Sequence, residues 1–520
     1  MIALSRLFQR HTLACVVALG VLPACTTIKV DIPPLHATLP DRMDSAVARP
    51  EGVAMDDLSH WWATLEDPVL SGYIEEGMKK NTDVRVALAR IKEARAYLGV
   101  AESTFYPTVE GLAGASRAHQ NSGLPSQTTV SIPGLPIPAI PISTGLPTSS
   151  APMSNTDVYG LNATWELDVF GARHSDAEMV NQLVMGAQEQ RHGAQLMVAS
   201  DIATHYFEAR GAERRLVLLQ QHGVPVARRL HQYASGRFGA GQTMATEVDR
   251  AALQVHVTES QIEPLKALLQ SHVRRIAVLM GHPPETLTAL PPLPATSRLP
   301  MNLPEVLPGD VLERRPDVRG AARKVRSQAA KLGSAKAELF PKFYLGFNAL
   351  GGRRHPDHSD GTNFSMQSMG IGMRLPLFEG GRIRANIAAN QAQLEGLAAE
   401  YEKAVLTALE DVENAYTAKK AFDVRAGQLT TSAQIARRVA THKQASFMSG
   451  QDLLQPALEA EATALQREDE AIQGDVSRAL YTVLLYKALG GGWSAQAAPD
   501  PVPAPAVAVA PVRSSELEGL

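Results

Sequence analysis

The chain has 520 residues, 45% hydrophobic but only 5% aromatic, with 39 glycines, a balance that suits helices packed through small side chains better than a core of bulky rings. That length admits several domains or one internally repeated architecture. Fifty basic residues against 53 acidic ones give a formal charge of −3, which argues against a nucleic-acid partner.

The chain opens with an export signal. Arg6, Arg10 and His11 form a basic start, and the apolar stretch TLACVVALGVL is too short to span a bilayer. It ends in LPAC, where Ala24 precedes Cys25 and Leu22 stands three places upstream. This resembles a lipobox: residues 1–24 are expected to be a signal peptide and Cys25 the acylated N-terminus of the mature chain. Cleavage there removes Cys15, so no disulfide within the mature chain is expected. Thr26 stands where a retention signal would place Asp, and the lipoprotein resemblance therefore implies the outer membrane. Residues 25–55, interrupted by prolines, read as an extended lipidated tether.

Residues 81–107, NTDVRVALARIKEARAYLGVAESTFYP, align without a gap on 315–341, RPDVRGAARKVRSQAAKLGSAKAELFP. Asp83/Asp317, Val84/Val318, Arg85/Arg319, Gly99/Gly333 and Pro107/Pro341 coincide. Further on, LDVFGAR (167–173) answers LPLFEGGR (375–382), Tyr206 answers Tyr416, and FGAGQ (238–242) answers FMSGQ (447–451). The chain is thus expected to be a tandem duplication, with repeats at 56–290 and 309–493, far longer than a solenoid unit.

Past Pro107, and again past Pro341, the apolar period changes from helical to alternating, giving expected strands at 108–118, 157–169, 342–351 and 365–378. Tyr159, Leu161, Ala163, Trp165 and Leu167, for example, alternate with Gly160, Asn162, Thr164, Glu166 and Asp168. An apolar face opposite a small or polar face is the pattern of a transmembrane β-barrel strand. A soluble sandwich strand looks similar, and the lipoprotein signal favours the barrel. Between paired strands lie turn-rich segments, 121–155 and 351–363. The second holds His355, Asp357, His358 and Asp360 without a spacing that fixes a metal geometry, so it reads as a solvated loop. Met366, Met369 and Met373 suggest copper handling less well than they suggest strand packing.

Each return strand leads into a helical rod, 174–236 or 383–448, with no breaker except Pro225; at ~1.5 Å per residue each reaches about 95–100 Å. Leu394, Tyr401, Ala408 and Ala415 recur every seven residues, with Leu397 and Ala404 offset by three, a coiled-coil seam with mostly small knobs. Each rod turns at Gly241 or Gly450 and returns to VLMGHPP (278–284) or KALGGGW (487–493), so the long helices are expected over 174–281 and 383–489. The Pro-rich stretch 291–308 reads as a crossover, and the Pro/Ala-rich tail 494–520 as disordered.

HWWATLEDPVLSGYI (60–74), LPGDVLERRPDVRGAA (307–322), LGSAKAELFP (332–341) and the lipobox together resemble outer-membrane efflux lipoproteins of the TolC/OprM type, nearest the NodT-like branch, over residues 55–490. The resemblance implies a mainly α protein with a transmembrane β-barrel part. Each protomer of a homotrimer would give four strands to a shared barrel and long coiled-coil helices to an α-barrel tunnel through the periplasm. It further implies a passive duct for small molecules such as drugs, with no enzymatic activity and no cofactor. A periplasmic adaptor and an inner-membrane pump, of the resistance-nodulation-division type, would be its partners. By position, Gly241, Gln242, Gly450 and Gln451 would be the adaptor-docking tips, and Glu247 and Glu459 would line the periplasmic gate. Pro456 departs from the family where an acid is usual, and Arg323 where Glu is common.

Independently of that resemblance, four strands cannot close a barrel, since bacterial barrels start at eight. Two chains would enclose a lumen filled by side chains, whereas three leave an open duct. No nucleotide loop and no His/Glu zinc motif stands out, and acids such as Glu410 and Asp411 sit at helix-surface spacing. The alternatives are a type I protein secretion duct and a non-channel structural coiled-coil lipoprotein spanning the periplasm.

Overall fold

A computed structural model describes residues 30–34, 44, 47–48, 58–119, 127–130, 140–143, 153–292, 305–306, 311–312, 314–356 and 360–493. Cys25, with its signal peptide, most of the tether and crossover, and the tail after Trp493, lies outside the described residues.

The alternating segments form one antiparallel sheet. Strands β1 (Thr108–His119), β2 (Met153–Leu167), β3 (Lys342–Pro356) and β4 (Thr362–Arg374) lie in the order β1-β2-β3-β4, so the hairpin of each repeat is joined to the other through β2 and β3. In that central pairing Asn162 faces Asn348 and Trp165 faces Leu345. Strand β3 runs past the expected 351 because its last residues, GGRRHP, pair with β2 but carry no apolar side chain for an alternation to reveal. Strand β4 stops at Arg374 rather than 378: Pro376 has no N–H for a ladder and restricts Leu375 before it.

Among the described residues the chain is followed through α1 (Pro68–Lys80), α2 (Thr82–Ser103), α3 (Ala172–Leu218), α4 (Val224–Gly239), α5 (Ala245–Ser260), α6 (Ile262–Leu279), α7 (Pro316–Ala337), α8 (Arg382–Met448) and α9 (Leu454–Ala488). Helix α8 is one uninterrupted rod of 67 residues, about 100 Å long. Its counterpart in the first repeat is divided, contrary to the single rod expected over 174–236. Between α3 and α4 the chain widens into a π-helical turn, Leu219–Gly223, where the Val224 amide bonds back to the Leu219 carbonyl. Pro225 is the cause, since its ring cannot donate and crowds the carbonyl four residues before it. The return helix of the same repeat is likewise split at Gln261, just ahead of Pro264. In α9 the proline is Pro456, within the first turn, where no intrahelical donor is lost, and that helix runs unbroken.

The heptads of α8 mark its packed face. Leu394, Ala408 and Ala415 are buried and Tyr401 is partly so, and a second series, Val405, Val412, Lys419, Ala426, Ala433 and Ala440, continues the seam towards the tip. Alanine knobs allow the α8 and α9 backbones to approach closely. Lys419 is the exception in the series, only 2% exposed, with its ammonium 2.6 Å from an Asp423 carboxylate oxygen one turn on.

The thick middle of the protomer is built on the HWW…EDP stretch. Trp61 is buried and stacks on Tyr486 of α9 at 4.9 Å. Asp67 caps α1, accepting the Val69 and Leu70 amides at 3.0 and 3.1 Å, and its other oxygen accepts the buried Tyr206 hydroxyl of α3 at 2.7 Å. Arg210 donates to that same hydroxyl at 3.1 Å. Burial and the adjacent Asp67 carboxylate push the Tyr206 phenol well above its ordinary range.

The duplication is visible in contacts as well as in elements. The Asn81 side-chain amide donates to the Leu279 carbonyl at 2.8 Å, and Arg315, its counterpart, reaches the Ala488 carbonyl at 3.4 Å. Each therefore ties the start of a climbing helix to the end of a returning one. Beside them Gly281 and Gly490 both have positive φ, and a Cβ would lie 2.6 Å from the Lys80 carbonyl oxygen or 2.9 Å from that of Arg314. Only glycine fits both the turn and the approach.

Candidate functional site: a barrel segment and two helical tips

Strand register assigns every side chain of the sheet to one of two faces. One face carries Val109, Leu161, Trp165, Phe347, Met369 and Ile371; the other carries Glu110, Asn162, Thr164, Asn348, Gly370 and Gly372. The apolar face is bare in the protomer, with Met369 86% and Ile371 71% exposed. Exposed apolar side chains on one face with small and polar groups on the other are what lipid outside and water inside require. Met366 lies on the polar face, opposite Met369 and Met373, so the three methionines do not form one thioether cluster. Among the described residues, β1 and β4 each pair on one side only, leaving two open edges that another chain must satisfy within a bilayer.

At the far end of the rods both tips close in the same way. The Gln242 amide donates to the Arg237 carbonyl at 2.8 Å and the Gly241 amide to Phe238 at 2.9 Å. In the second tip Gln451 donates to Ser446 at 2.9 Å and Gly450 to Phe447 at 3.0 Å. Both are Schellman caps, with Gly241 and Gly450 at φ 71° and 73°. Gln242 and Gln451 thus contribute backbone amides to the turn while their side chains stay exposed. Arg237 links the first tip to the second repeat, its guanidinium 3.2 Å from the Gln242 carbonyl and 3.3 Å from the Gln455 side chain. Lys443 spans the second tip to Asp452 at 2.8 Å and holds that carboxyl below the usual range.

The two gate candidates are each engaged along their own helix. Glu247 pairs with Arg250 at 3.1 Å, and Glu459 accepts a hydrogen bond from the Gln455 side chain at 2.9 Å. Of the loop quartet His355, Asp357, His358 and Asp360, Asp357 and His358 lie outside the described residues.

Two features of the tips escaped sequence reasoning. Met244 and Leu453 occupy the N-cap positions of α5 and α9, where Ser, Thr, Asp or Asn is the ordinary choice, and neither supplies a capping side chain. With Phe238 and Met448 they leave four large apolar side chains exposed around the turns. An apolar residue at each cap three places after the turn glycine was the available signal.

The motif around RRPDVRGAA is structural. Arg315 pairs with Asp317 at 2.7 Å and with Asp411 of α8 at 2.9 Å. Arg319 pairs with the nearly buried Glu189 of α3 at 2.7 Å and lies 5.0 Å over the Trp493 ring. Burial alone would raise the Glu189 carboxyl, but hydrogen bonds from His192 and Arg319 outweigh it and hold it low. Arg323 has Gln182 as a neutral partner at 3.4 Å.

Relatives share this organisation. The chain is 28% identical over 443 residues to Nodulation protein T of Rhizobium leguminosarum bv. trifolii, covering 84% of this chain and 88% of the relative. It is 26% identical over 444 residues to the pyoverdine export outer membrane protein OpmQ of Pseudomonas aeruginosa, with 84% and 88% covered. Among solved structures, that of the outer-membrane channel OprN superposes with a TM-score of 0.72 at 26% identity, covering 90% of this chain and all of OprN. The model of the outer membrane efflux protein family matches residues 74–282 and 307–491, one match for each repeat. With an amphipathic four-stranded sheet, periplasm-length helices and a family match across both repeats, the chain belongs to the outer membrane efflux protein family and is an outer-membrane channel component of an efflux system.

Proposed function

We propose that three copies of this chain close a twelve-stranded barrel and act as a passive duct, passing small molecules from an inner-membrane pump and periplasmic adaptor across the outer membrane. The observation that carries the reading is the sheet with two open edges and one bare apolar face. Three copies satisfy β1 and β4 of every protomer and leave a lumen, whereas two leave none. The relative named for pyoverdine export supports a small-molecule cargo over a secreted protein. Native mass measurement of the detergent-solubilised protein is expected to give three chains per particle, each beginning at acylated Cys25. A stable monomer would refute the shared barrel, and a mature N-terminus elsewhere would refute the lipid anchor.

The adaptor meets the exposed tips at Gly241, Gln242, Gly450 and Gln451, with Phe238, Met244, Met448 and Leu453 as the apolar part of the contact. A pump of the resistance-nodulation-division type is the source of energy and selectivity. Glu247 and Glu459 face the bore near the tip and attract cations there. Replacing Glu459 by Ala is expected to lower the cation selectivity of single channels in planar bilayers, and Glu247→Ala to do so less because Arg250 already offsets its charge. Unchanged reversal potentials in both variants would remove these residues from the gate.

A further inference from the structure

In the thick middle of the protomer, away from sheet and tips, three ligand-bearing side chains converge. His205 and Glu208 stand one turn apart on α3, and His272 meets them from α6. His205 Nδ1 lies 3.0 Å from His272 Nδ1 and 3.4 Å from a Glu208 carboxylate oxygen, and that oxygen lies 3.1 Å from His272 Nδ1. The triangle is close to one face of a coordination tetrahedron, for which metal–ligand bonds of about 2.0–2.1 Å set edges of about 3.3 Å.

Hydrogen bonding alone does not account for the arrangement. If one nitrogen carries the proton, the other turns its lone pair on the carboxylate oxygen; if both carry one, two N–H groups oppose each other at 3.0 Å. With Glu208 ionised, no placement of protons on the two nitrogens makes all three contacts favourable, whereas one cation at the centre does. All three side chains are partly exposed, at 28%, 32% and 14% for His205, Glu208 and His272, which leaves a path for a cation and room for water as the fourth ligand.

The duplication supplies an internal comparison. Equivalence of Tyr206 with Tyr416 and of Gly281 with Gly490 places Ala415, Ala418 and Tyr481 where the first repeat has His205, Glu208 and His272. There Ala415 is buried and Tyr481 stacks on Phe422 at 3.9 Å. The same helix pairing therefore packs without any ligand-bearing side chain, and packing does not explain the cluster.

We propose that His205, Glu208 and His272 form a binding site for a divalent transition-metal cation, zinc in the first instance, clamping α6 to α3 in the first repeat only. Two imidazoles and one carboxylate form a ligand set suited to zinc. The site is independent of the duct function, and failure of either reading leaves the other standing.

The test uses full-length, tag-free trimer in detergent, stripped with chelator and titrated with Zn2+ by calorimetry. One Zn2+ per chain is expected at pH 7.5, with the unfolding temperature rising on addition. His272→Ala and the near-isosteric Glu208→Gln are each expected to weaken binding by about 10-fold or more, while His355→Ala, outside the cluster, leaves it unchanged. Co2+ in place of Zn2+ should give the visible absorption of a four-coordinate site in the wild type only. Absence of stoichiometric binding, or binding that survives both cluster variants, would overturn the proposal.

Discussion

Gly450→Trp is expected to abolish efflux while leaving trimers intact. Gly450 sits at φ 73° with nothing within 4 Å of where a Cβ would stand, so the indole projects from the tip instead of into the packing. The backbone strain, about 1–2 kcal/mol for a non-glycine residue in this region, is confined to a terminal turn remote from sheet and core. Drug susceptibility of a strain carrying the variant should rise to that of a strain lacking the protein, and cross-linking should still capture three chains. Gly450→Asn separates strain from obstruction, since Asn tolerates this conformation and is small; it is expected to export normally. Wild-type export by the Trp variant would show that the tip does not dock the adaptor.

Asp67→Ala is expected to cause a large loss of stability although it removes no apolar side chain. It removes an N-cap, worth about 1 kcal/mol, and strips the buried Tyr206 hydroxyl of its acceptor, about 1–3 kcal/mol more. Asp67 and Tyr206 are 2% and 0% exposed, so water replaces neither bond. A fall of several degrees in the unfolding temperature of the solubilised protein, with Asp67→Asn restoring only part of it because one amide oxygen replaces two acceptors, checks the assignment. Equal loss in the Ala and Asn variants would point to charge as the operative property, not the cap and hydroxyl contacts.

Much of the site was legible because its signals are local. Alternation at period two placed all four strands, and the turn glycines Gly241 and Gly450 were visible as the ends of long periodic segments. The division of the first rod was not foreseen: Pro225 was noted, but whether a proline kinks, ends or widens a helix depends on what packs around it. Pro264 and Pro456 make the same point, one splitting a return helix and the other opening one without harm.

By itself the sequence determined the duplication, the amphipathic strands and the heptad seam, because each is a property of neighbours within a few residues or of one repeat laid on another. Only the tertiary structure decided that the two hairpins join through β2 and β3 and leave β1 and β4 open, since strand order depends on which edges meet and not on the pattern within a strand. It likewise set the ion pair of Glu247 and the hydrogen bond of Glu459, the separation of Met366 from Met369 and Met373 across the sheet, and the meeting of His205 and Glu208 with His272. His205 and Glu208 are one helical turn apart in any reading of the chain, but His272 stands 67 residues from His205. Such contacts arise where burial brings distant helices together, and no local periodicity encodes which side chains then face one another.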